Sequence, residues 1–412
     1  MKIDTLKFKI VIFLVLLISF LFFSNNFNKV DIEKTAIITA VAIDIENGEY
    51  KITAQVAVPE ATDANTENSK AEIYGKGKTV GDAIKDIGDT SGWFPQLSFC
   101  NLIILGNDTK DMNCMKFLDY FANTLRVQDS AVVVLAEKKA AELLEVSTPL
   151  DHISSFALQK ILLKNPGLDN DTANNDIKDF TTSYYADASS SFMPLVKVLD
   201  IKKPNDSGSS QGGQNDSQQE SGGSGGGSSS GQDGKGKNIF DTRTTALYKN
   251  GKNVGELNPD QTLAFNLIVK DLKDTTFEVE NVIIAPDSDQ NGDYLLTTQN
   301  KNAKIKVTAT PSEVIVDIKV KMQCKITSQN TNTSDATSSK SIPLPKPVVE
   351  KAQEKFTKLL NELVEVSKQT ECDFLNIQQK IYQRNHKYYN LYKNGFYKNL
   401  RANVSVEISG QK

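Results

Sequence analysis

An uncharged apolar run near the N-terminus determines the surroundings in which the rest of the chain folds. The run covers residues 10–23, fourteen residues or about 21 Å as a helix, and Lys2, Lys7 and Lys9 precede it. A basic flank followed by an apolar run is typical of an export signal. Extended over residues 6–27, with the lysine side chains reaching outward, the segment is long enough to cross a bilayer.

Two features favour an uncleaved anchor over a cleaved signal peptide, which remains the alternative. The run is not followed by a pair of small residues that would mark a cleavage site, and the first cysteine is Cys100, so no cysteine stands where a lipid is attached. The positive-inside rule places the N-terminus in the cytoplasm and the body of the chain outside. We therefore predict a single-pass protein whose residues 1–29 form a signal-like membrane anchor.

Composition narrows the class of protein further. The net charge is −4 and the pI about 5.5, which gives no reason to expect nucleic-acid binding. Four cysteines in an exported chain could form disulfides, but they follow no close spacing and include no C-x-x-C motif. Free, buried thiols are the favoured interpretation for this set, which is Cys100, Cys114, Cys324 and Cys372.

The first half of the chain alternates between predicted strands and helices. Residues 36–43 form an apolar strand that leads to Asn47-Gly48, the strongest short hairpin signal, and residues 50–58 alternate as the return strand. Residues 102–105 predict a short buried strand, central in a sheet. Strands and helices continue to alternate up to residue 198, which indicates an α/β or α+β fold.

A low-complexity segment separates the two halves. Residues 203–237 consist of Gly, Ser, Gln, Asp and Asn with almost nothing apolar. Such a composition buries too little surface to offset its ordering entropy, so we expect disorder. The segment is either an interdomain linker or a long surface insertion.

The second half begins with another hairpin signal, Asn250-Gly251, and a helix opened by Pro259. Residues 314–326 alternate between apolar and polar side chains, which predicts a strand with one buried and one solvated face. The pattern also predicts strands at 276–285, 294–298 and 304–310, a long helix after Pro347, two shorter helices at 372–382 and 386–400, and a closing strand at 402–408.

These patterns together predict a mixed α/β (α+β) fold: a multi-domain ectodomain of mixed sheets with packed helices behind one N-terminal transmembrane anchor. The predicted division is an anchor at 1–29, an N-terminal α/β region at 30–200, the linker or insertion at 201–237, and a C-terminal α/β region at 238–412, which has a hairpin–helix part at 238–275 and a larger sheet-plus-helices part at 276–412.

Short blocks spread over nearly the whole exported part resemble the C-subunit family of bacterial spore germinant receptors, the Ger(x)C family. Each block is a short apolar pattern, and their shared order over about 370 residues carries the resemblance. The blocks are residues 36–44, 48–53, 77–80, 97–106, 117–121 with Arg126, 246–257, 373–375, 382–385, 388–389 and the closing strand up to Gly410. The chain departs from the family in lacking the lipobox cysteine, in having Trp93 as its single tryptophan, and in the length of the Gly/Ser segment.

The resemblance implies a non-catalytic subunit of a nutrient germinant receptor complex in the spore inner membrane. It implies two partners, the A-type and B-type membrane subunits of that complex. The surface that binds them is not marked by a motif. The aromatic cluster of Tyr388, Tyr389, Tyr392, Phe396 and Tyr397 is the candidate, because aromatic residues are enriched in interface cores. At helical spacing, such a cluster more often belongs to the domain core.

The residues themselves give little support for an enzyme. The two histidines, His152 and His386, have no partner nearby in sequence, and no nucleophile-elbow, zinc-protease, P-loop or dinucleotide motif is present. Asp44 and Asp373 could pair only through the fold, and turn and helix-cap roles are the favoured interpretation for them. We predict no catalytic residue, no metal and no cofactor. The alternative function is an anchored solute-binding protein that delivers a nutrient to a transporter, which requires a deep pocket between two lobes.

Overall fold

The computed structural model of the protein describes residues 5–24, 34–57, 70–124, 127–146, 148, 151, 153–163, 171–201, 237–270, 274–283, 291–331 and 344–410. Thirteen strands in these ranges form two sheets, and ten α-helices are found in the same ranges. Sheets with both parallel and antiparallel pairs confirm the predicted mixed α/β class. Arg126, His152 and nearly all of the predicted disordered segment lie outside the described residues.

Helix α1 (Thr5–Ser24) carries the apolar run, and its side chains are described for residues 8–20, where nearly all are exposed. Among the residues that the structure describes, no helix has both the length and the apolar character needed to span a membrane. The predicted anchor at residues 6–27 therefore remains a proposal.

The first sheet has nine strands, ordered β3-β2-β1-β5-β6-β7-β8-β9, with β4 paired to β1. Its centre, β1-β5-β6-β7, is parallel and its outer pairs are antiparallel. The strands are β1 (Thr35–Glu46), β2 (Glu49–Ala57), β3 (Lys70–Gly77), β4 (Phe94–Gln96), β5 (Leu102–Leu105), β6 (Val132–Ala136), β7 (Ser190–Ile201), β8 (Lys237–Lys249) and β9 (Lys252–Leu257). The predicted buried strand at 102–105 is thus central.

Helices cover both faces of this sheet. Neighbouring residues of β1 enter different cores: Val41 and Ile43 belong to the core under α2, α3 and α6, and Ala42 to the core under α4 and α5. Burial on both faces explains why β1, β5 and β6 are continuously apolar rather than alternating. The helices are α2 (Val80–Ser91), α3 (Met115–Asn123), α4 (Ala140–Glu145), α5 (Ser154–Leu162) and α6 (Ile177–Tyr185).

Both predicted Asn-Gly turns are present. Asn47 and Gly48 have φ of 52° and 82°, and Asn250 and Gly251 have φ of 50° and 75°. Positive φ at both central residues matches the twist of the flanking strands, and Asn-Gly tolerates it best. The second turn joins β8 to β9, and β8 pairs with β7 over nearly its whole length. The first sheet therefore continues across the predicted boundary at 237/238, and the domain division itself remains a prediction.

The second sheet has four strands, ordered β10-β11-β12-β13, with β12 and β13 parallel. Its inner face packs against α8, whose apolar stripe includes Ala352, Phe356 and Leu363. In β12 the predicted alternation is confirmed, because Ile318 and Val320 are buried while Lys319 is exposed. The elements are β10 (Thr276–Ile283), β11 (Asn291–Ala309), β12 (Val314–Thr331), β13 (Leu400–Gly410), α7 (Pro259–Val269), α8 (Lys346–Thr370), α9 (Ile377–Arg384) and α10 (His386–Tyr392).

The outer face of this sheet places two like charges side by side. Lys304 of β11 and Lys319 of β12 are direct cross-strand partners, and both are exposed. Like charges directly opposite each other destabilise a sheet, and an opposite pair contributes about 0.2–1 kcal/mol. We therefore expect Lys319→Glu to raise the free energy of unfolding by up to about 1 kcal/mol, measured by urea denaturation. Lys319→Gln should give a smaller increase, and a decrease in both variants would contradict the expectation.

All four cysteines are free and buried, which confirms the prediction from their spacing. Burial raises the pKa of Cys100, Cys114 and Cys372 to about 12 and that of Cys324 to about 11. Because the thiolate is the reactive form, we expect almost no alkylation of the native protein by iodoacetamide at pH 8, and four modified thiols after unfolding. Rapid modification of the native protein, detected by mass spectrometry, would contradict this burial.

Candidate functional site

The structure divides the aromatic cluster into an inner and an outer part. Tyr392, Phe396 and Tyr397 are buried in the core beneath the second sheet. The Tyr392 hydroxyl donates a hydrogen bond to the carbonyl oxygen of Thr310 at 2.7 Å, which ties α10 to the end of β11. These three residues therefore stabilise the domain and are not free to contact a partner.

The outer part consists of half-buried and exposed rings. Tyr388 and Tyr389 are half-buried, and Lys387 lies over the Tyr388 ring, with its Nζ 4.6 Å from the centroid. The exposed Tyr382 ring contacts His386 and Tyr389 edge-on, at centroid distances of 4.9 and 5.0 Å. We call Tyr382, His386, Tyr388 and Tyr389 the outer aromatic face. Sequence reasoning missed Tyr382 and His386 as members, although the spacing 382, 386, 389 across two consecutive helices is the signal that links them.

An open cleft separates the outer aromatic face from the end of α6. It has a volume of about 260 Å³. The Tyr389 hydroxyl donates a hydrogen bond across it to the Asp187 carboxylate. Burial and this carboxylate raise the pKa of Tyr389 to about 12, so its hydroxyl stays protonated near neutral pH. The cleft is lined by Thr182, Ser183, Ala186, Asp187, Ala188, Ser190, Asp373, Asn376, Gln378, Gln379, Tyr382 and Tyr389.

Asp373 holds the floor of this cleft together. Its carboxylate accepts hydrogen bonds from the backbone N–H groups of Ile377 at 2.7 Å and Gln378 at 2.8 Å, at the start of α9. Burial raises the pKa of Asp373 to about 6, while these two N–H groups and the nearby Lys380 favour the charged form. Gln378 in turn donates to the carbonyl oxygen of Lys393 at 2.8 Å, which links α9 to the end of α10.

Asp44 has the same role in the first sheet. It ends the apolar part of β1 and accepts hydrogen bonds from the backbone N–H groups of Ala140 at 2.7 Å and Ala141 at 2.9 Å. Burial raises the pKa of Asp44, and both N–H groups oppose that shift. The structure thus uses both carboxylates as helix caps in two different halves of the chain, and it does not bring them together.

The described side chains form no recognisable catalytic arrangement in the cleft. His386 stacks on Tyr389, with centroids 6.2 Å apart and rings nearly parallel. Across the described ranges, no three His, Cys, Asp or Glu residues are grouped so that they could hold a metal ion. What the arrangement offers is a polar cleft bordered by an aromatic surface, at the junction of the two halves.

Two protein-family models match the chain and define the class of protein to which it belongs. The description "Spore germination protein N-terminal domain" matches residues 28–198, and "Spore germination B3/ GerAC like, C-terminal" matches residues 243–410. The chain therefore belongs to the GerAC/GerBC family of spore germination proteins, the germinant-receptor C-subunit family, whose members are generally non-catalytic receptor subunits.

The fold agrees with a solved structure of this family. The chain is similar to the crystal structure of the GerBC protein at a TM-score of 0.51 and 16% sequence identity, over 90% of this chain and 97% of that one. At this identity the similarity shows the fold alone, which is a mixed α/β fold with two domains. No curated protein sequence matches the chain significantly. The resemblance stated from the sequence is confirmed.

Proposed function

We propose that this protein is a non-catalytic subunit of a nutrient germinant receptor complex in the spore inner membrane, where it assembles with A-type and B-type membrane subunits. The observation that supports this most strongly is the match of both family descriptions, in order, over residues 28–198 and 243–410. Family members are associated with the spore membrane and belong to germinant receptor complexes. The protein contributes an assembly surface rather than a reaction.

The proposed attachment to the membrane is through residues 6–27. Phe13 and Phe20 of α1 are 68% and 71% exposed, and the other apolar side chains described on this helix are exposed as well. A large contiguous apolar surface marks contact with a membrane or another protein. Lys7 and Lys9 at the start of the helix favour a cytoplasmic N-terminus, so the body of the protein lies on the extracytoplasmic side.

The proposed partner surface is the outer aromatic face, which includes Tyr388 and Tyr389 of the sequence-based candidate. Tyr382 is 52% exposed, and its ring packs on its neighbours, so little side-chain entropy is lost on binding. Leu391 nearby is 58% exposed. Rigid aromatic rings next to exposed apolar surface are typical of the residues that dominate protein–protein binding. Tyr392 and Phe396, also in the sequence-based candidate, support this surface from within the core.

The test is affinity purification of the tagged full chain from detergent-solubilised spore membranes, followed by mass spectrometry. We expect the A-type and B-type subunits to co-purify with the wild-type protein. Tyr382→Ala/Tyr388→Ala should reduce their recovery at least fivefold, and Tyr74→Ala on strand β3, where the ring is 63% exposed, should not. Failure of the wild-type protein to retain either subunit would overturn the proposal. Equal recovery of the subunits with all variants would show that the interface lies outside the outer aromatic face.

The alternative from the sequence is a solute-binding protein. The same purified chain tests it by isothermal titration with the nutrients that trigger germination. The receptor-subunit proposal expects little affinity for any of them in isolation. Stoichiometric binding of one nutrient by the isolated chain would favour the alternative.

A further inference from the structure

One part of the outer face of the second sheet, on strands β11 and β12, has a charge opposite to that of the chain as a whole. We call its five lysines the basic face: Lys304, Lys306, Lys319, Lys321 and Lys325. All five are exposed, and they lie on the neighbouring strands β11 and β12. The carboxylates beside them are Asp317 and Glu407, which leaves a local excess of three positive charges on a chain of net charge −4.

Most of these lysines lack a neutralising partner. Lys321 pairs with Glu407 at 2.6 Å, and Arg401, at the turn end of the same face, pairs with Glu313 at 3.4 Å. Among the described residues, Lys304, Lys306, Lys319 and Lys325 form no ion pair, and Lys304 directly opposes Lys319. The fold therefore retains a repulsive arrangement that a single Glu would relieve.

Two common structural roles of charged side chains on a sheet account for only part of this pattern. Solvated sheet faces gain stability from opposite charges across strands, as where Lys306 faces Asp317 and Lys321 faces Glu407, but Lys304 and Lys319 place like charges there. Lysines on an edge strand prevent pairing with other chains, which applies to Lys304 and Lys306, because β10 pairs with β11 only as far as Thr297. It does not apply to Lys319, because β12 lies between β11 and β13 at that position. Neither role explains why Lys319 stands opposite Lys304, and this unrelieved repulsion points to a function at this surface.

We propose that the basic face docks on the anionic phospholipid headgroups of the membrane that holds the protein. This inference goes beyond the proposed function and rests on it only for the membrane location. The lysines share one exposed sheet face, so several of them can contact a bilayer surface together, and each strengthens binding about fivefold. Ten residues separate Ser24 of α1 from Thr35 of β1, a span of at most about 36 Å, so the body stays close to the bilayer.

Because α1 tethers the protein to the membrane, a weak contact is sufficient to hold the basic face against the headgroups. Once α1 is inserted, docking is intramolecular, and its effective concentration is set by the short connection rather than by the protein in solution. The contact is electrostatic and exposed, so salt should weaken it strongly, because the screening length falls from about 10 Å at 0.1 M to about 3 Å at 1 M.

The test uses the full chain in vesicles and a fluorophore on a new cysteine. Ser405 is exposed on the basic face as the β13 partner of Lys319, so Ser405→Cys keeps every lysine in place. The four native cysteines are buried, so the fluorophore reacts with the new one. Asn361→Cys is the matched control, because Asn361 is exposed on α8, which covers the opposite face of the same sheet. Quenching by a lipid with a spin-labelled headgroup reports contact with the membrane.

We expect strong quenching at Ser405→Cys in phosphatidylcholine vesicles containing about 30% phosphatidylglycerol at 50 mM salt, and little at Asn361→Cys. The Ser405→Cys signal should fall at least threefold in pure phosphatidylcholine, in 0.5 M salt, and in Lys304→Glu/Lys319→Glu. Lys319→Glu alone should reduce quenching while raising the midpoint of urea unfolding, which separates lost docking from lost folding. The neutral Lys304→Gln/Lys319→Gln variant should give an intermediate loss.

Two outcomes would overturn the inference. One is equal quenching at both labelled positions or in neutral vesicles. The other is no quenching at Ser405→Cys when the protein floats with the vesicles, which would assign the basic face to an acidic protein partner or to solvent. Co-purification of the A-type and B-type subunits is independent of this result, so the proposed function can stand when the docking inference fails.

Discussion

Asp373→Ala should lower the free energy of unfolding by about 3 kcal/mol. The substitution leaves the backbone N–H groups of Ile377 and Gln378 buried without an acceptor, and each such group costs about 1–3 kcal/mol. It also removes the cap of α9, the helix that forms one wall of the cleft. Urea denaturation followed by circular dichroism measures the change.

Asp89→Ala is the matched control. Asp89 is exposed and pairs with Lys85 on the surface of α2, so its loss should change the free energy of unfolding by less than about 0.5 kcal/mol. A loss below about 1 kcal/mol for Asp373→Ala would show that the carboxylate does not hold α9 in place.

The same carboxylate predicts a pH dependence. Burial raises the pKa of Asp373 from 3.8 to about 6, so between these values the folded protein binds more protons than the unfolded chain. The stability gained from this extra bound proton is therefore fully present below about pH 4 and is lost as the pH rises through about 6. Comparison with Asp373→Asn, which cannot titrate, isolates this contribution, worth about 3 kcal/mol in total. A wild-type minus variant difference that is flat from pH 4 to 7 would contradict it.

Phe265→Ala should cost about 3–5 kcal/mol and destabilise both halves of the chain. Phe265 of α7 is fully buried, and its ring contacts Phe192 of the first sheet at 4.9 Å and Phe374 of the C-terminal part at 5.6 Å between centroids. Because this one side chain contacts both parts, the cavity left by the substitution should destabilise both parts together. Trp93, the single tryptophan, reports on the first part by fluorescence, while circular dichroism reports on the whole chain.

In Phe265→Ala, the unfolding transition followed by Trp93 fluorescence and the one followed by circular dichroism should both move to lower urea concentration by similar amounts. Phe99→Ala is the control, because Phe99 is 56% exposed and its loss should change stability by about 0.5 kcal/mol or less. An unchanged Trp93 transition in Phe265→Ala would mean that the two halves do not share a core.

Local patterns made much of the fold predictable. The Asn-Gly turns need positive φ, and the alternation from Val314 to Cys324 needs one buried face, so both could be derived from residue chemistry alone. The prediction of separate strands at 294–298 and 304–310 was wrong, because both belong to β11. Irregular register between Leu295 and Leu296 and between Thr298 and Asn300 interrupts the alternation, and the sequence pattern breaks there although the strand continues.

The site was less predictable than the fold. Asp44 and Asp373 were correctly interpreted as structural, but their partners could not be named, because Ala140 lies 96 residues from Asp44. The outer aromatic face joins side chains from two helices across the kink at Asn385, and Asp187 reaches it from the other half of the chain. Such contacts depend on how the two sheets pack, and sequence periodicity carries no information about that packing.

Nutrient-triggered germination of spores that lack this gene is the decisive test of whether this protein is a germinant-receptor subunit. In a host without a redundant paralogue, deletion should abolish germination in at least one nutrient that the wild type responds to. The full-length gene should restore it, and a gene encoding Asp373→Ala should restore less at equal protein level. Normal germination of the deletion strain in every nutrient would contradict the assignment of this protein to a germinant receptor.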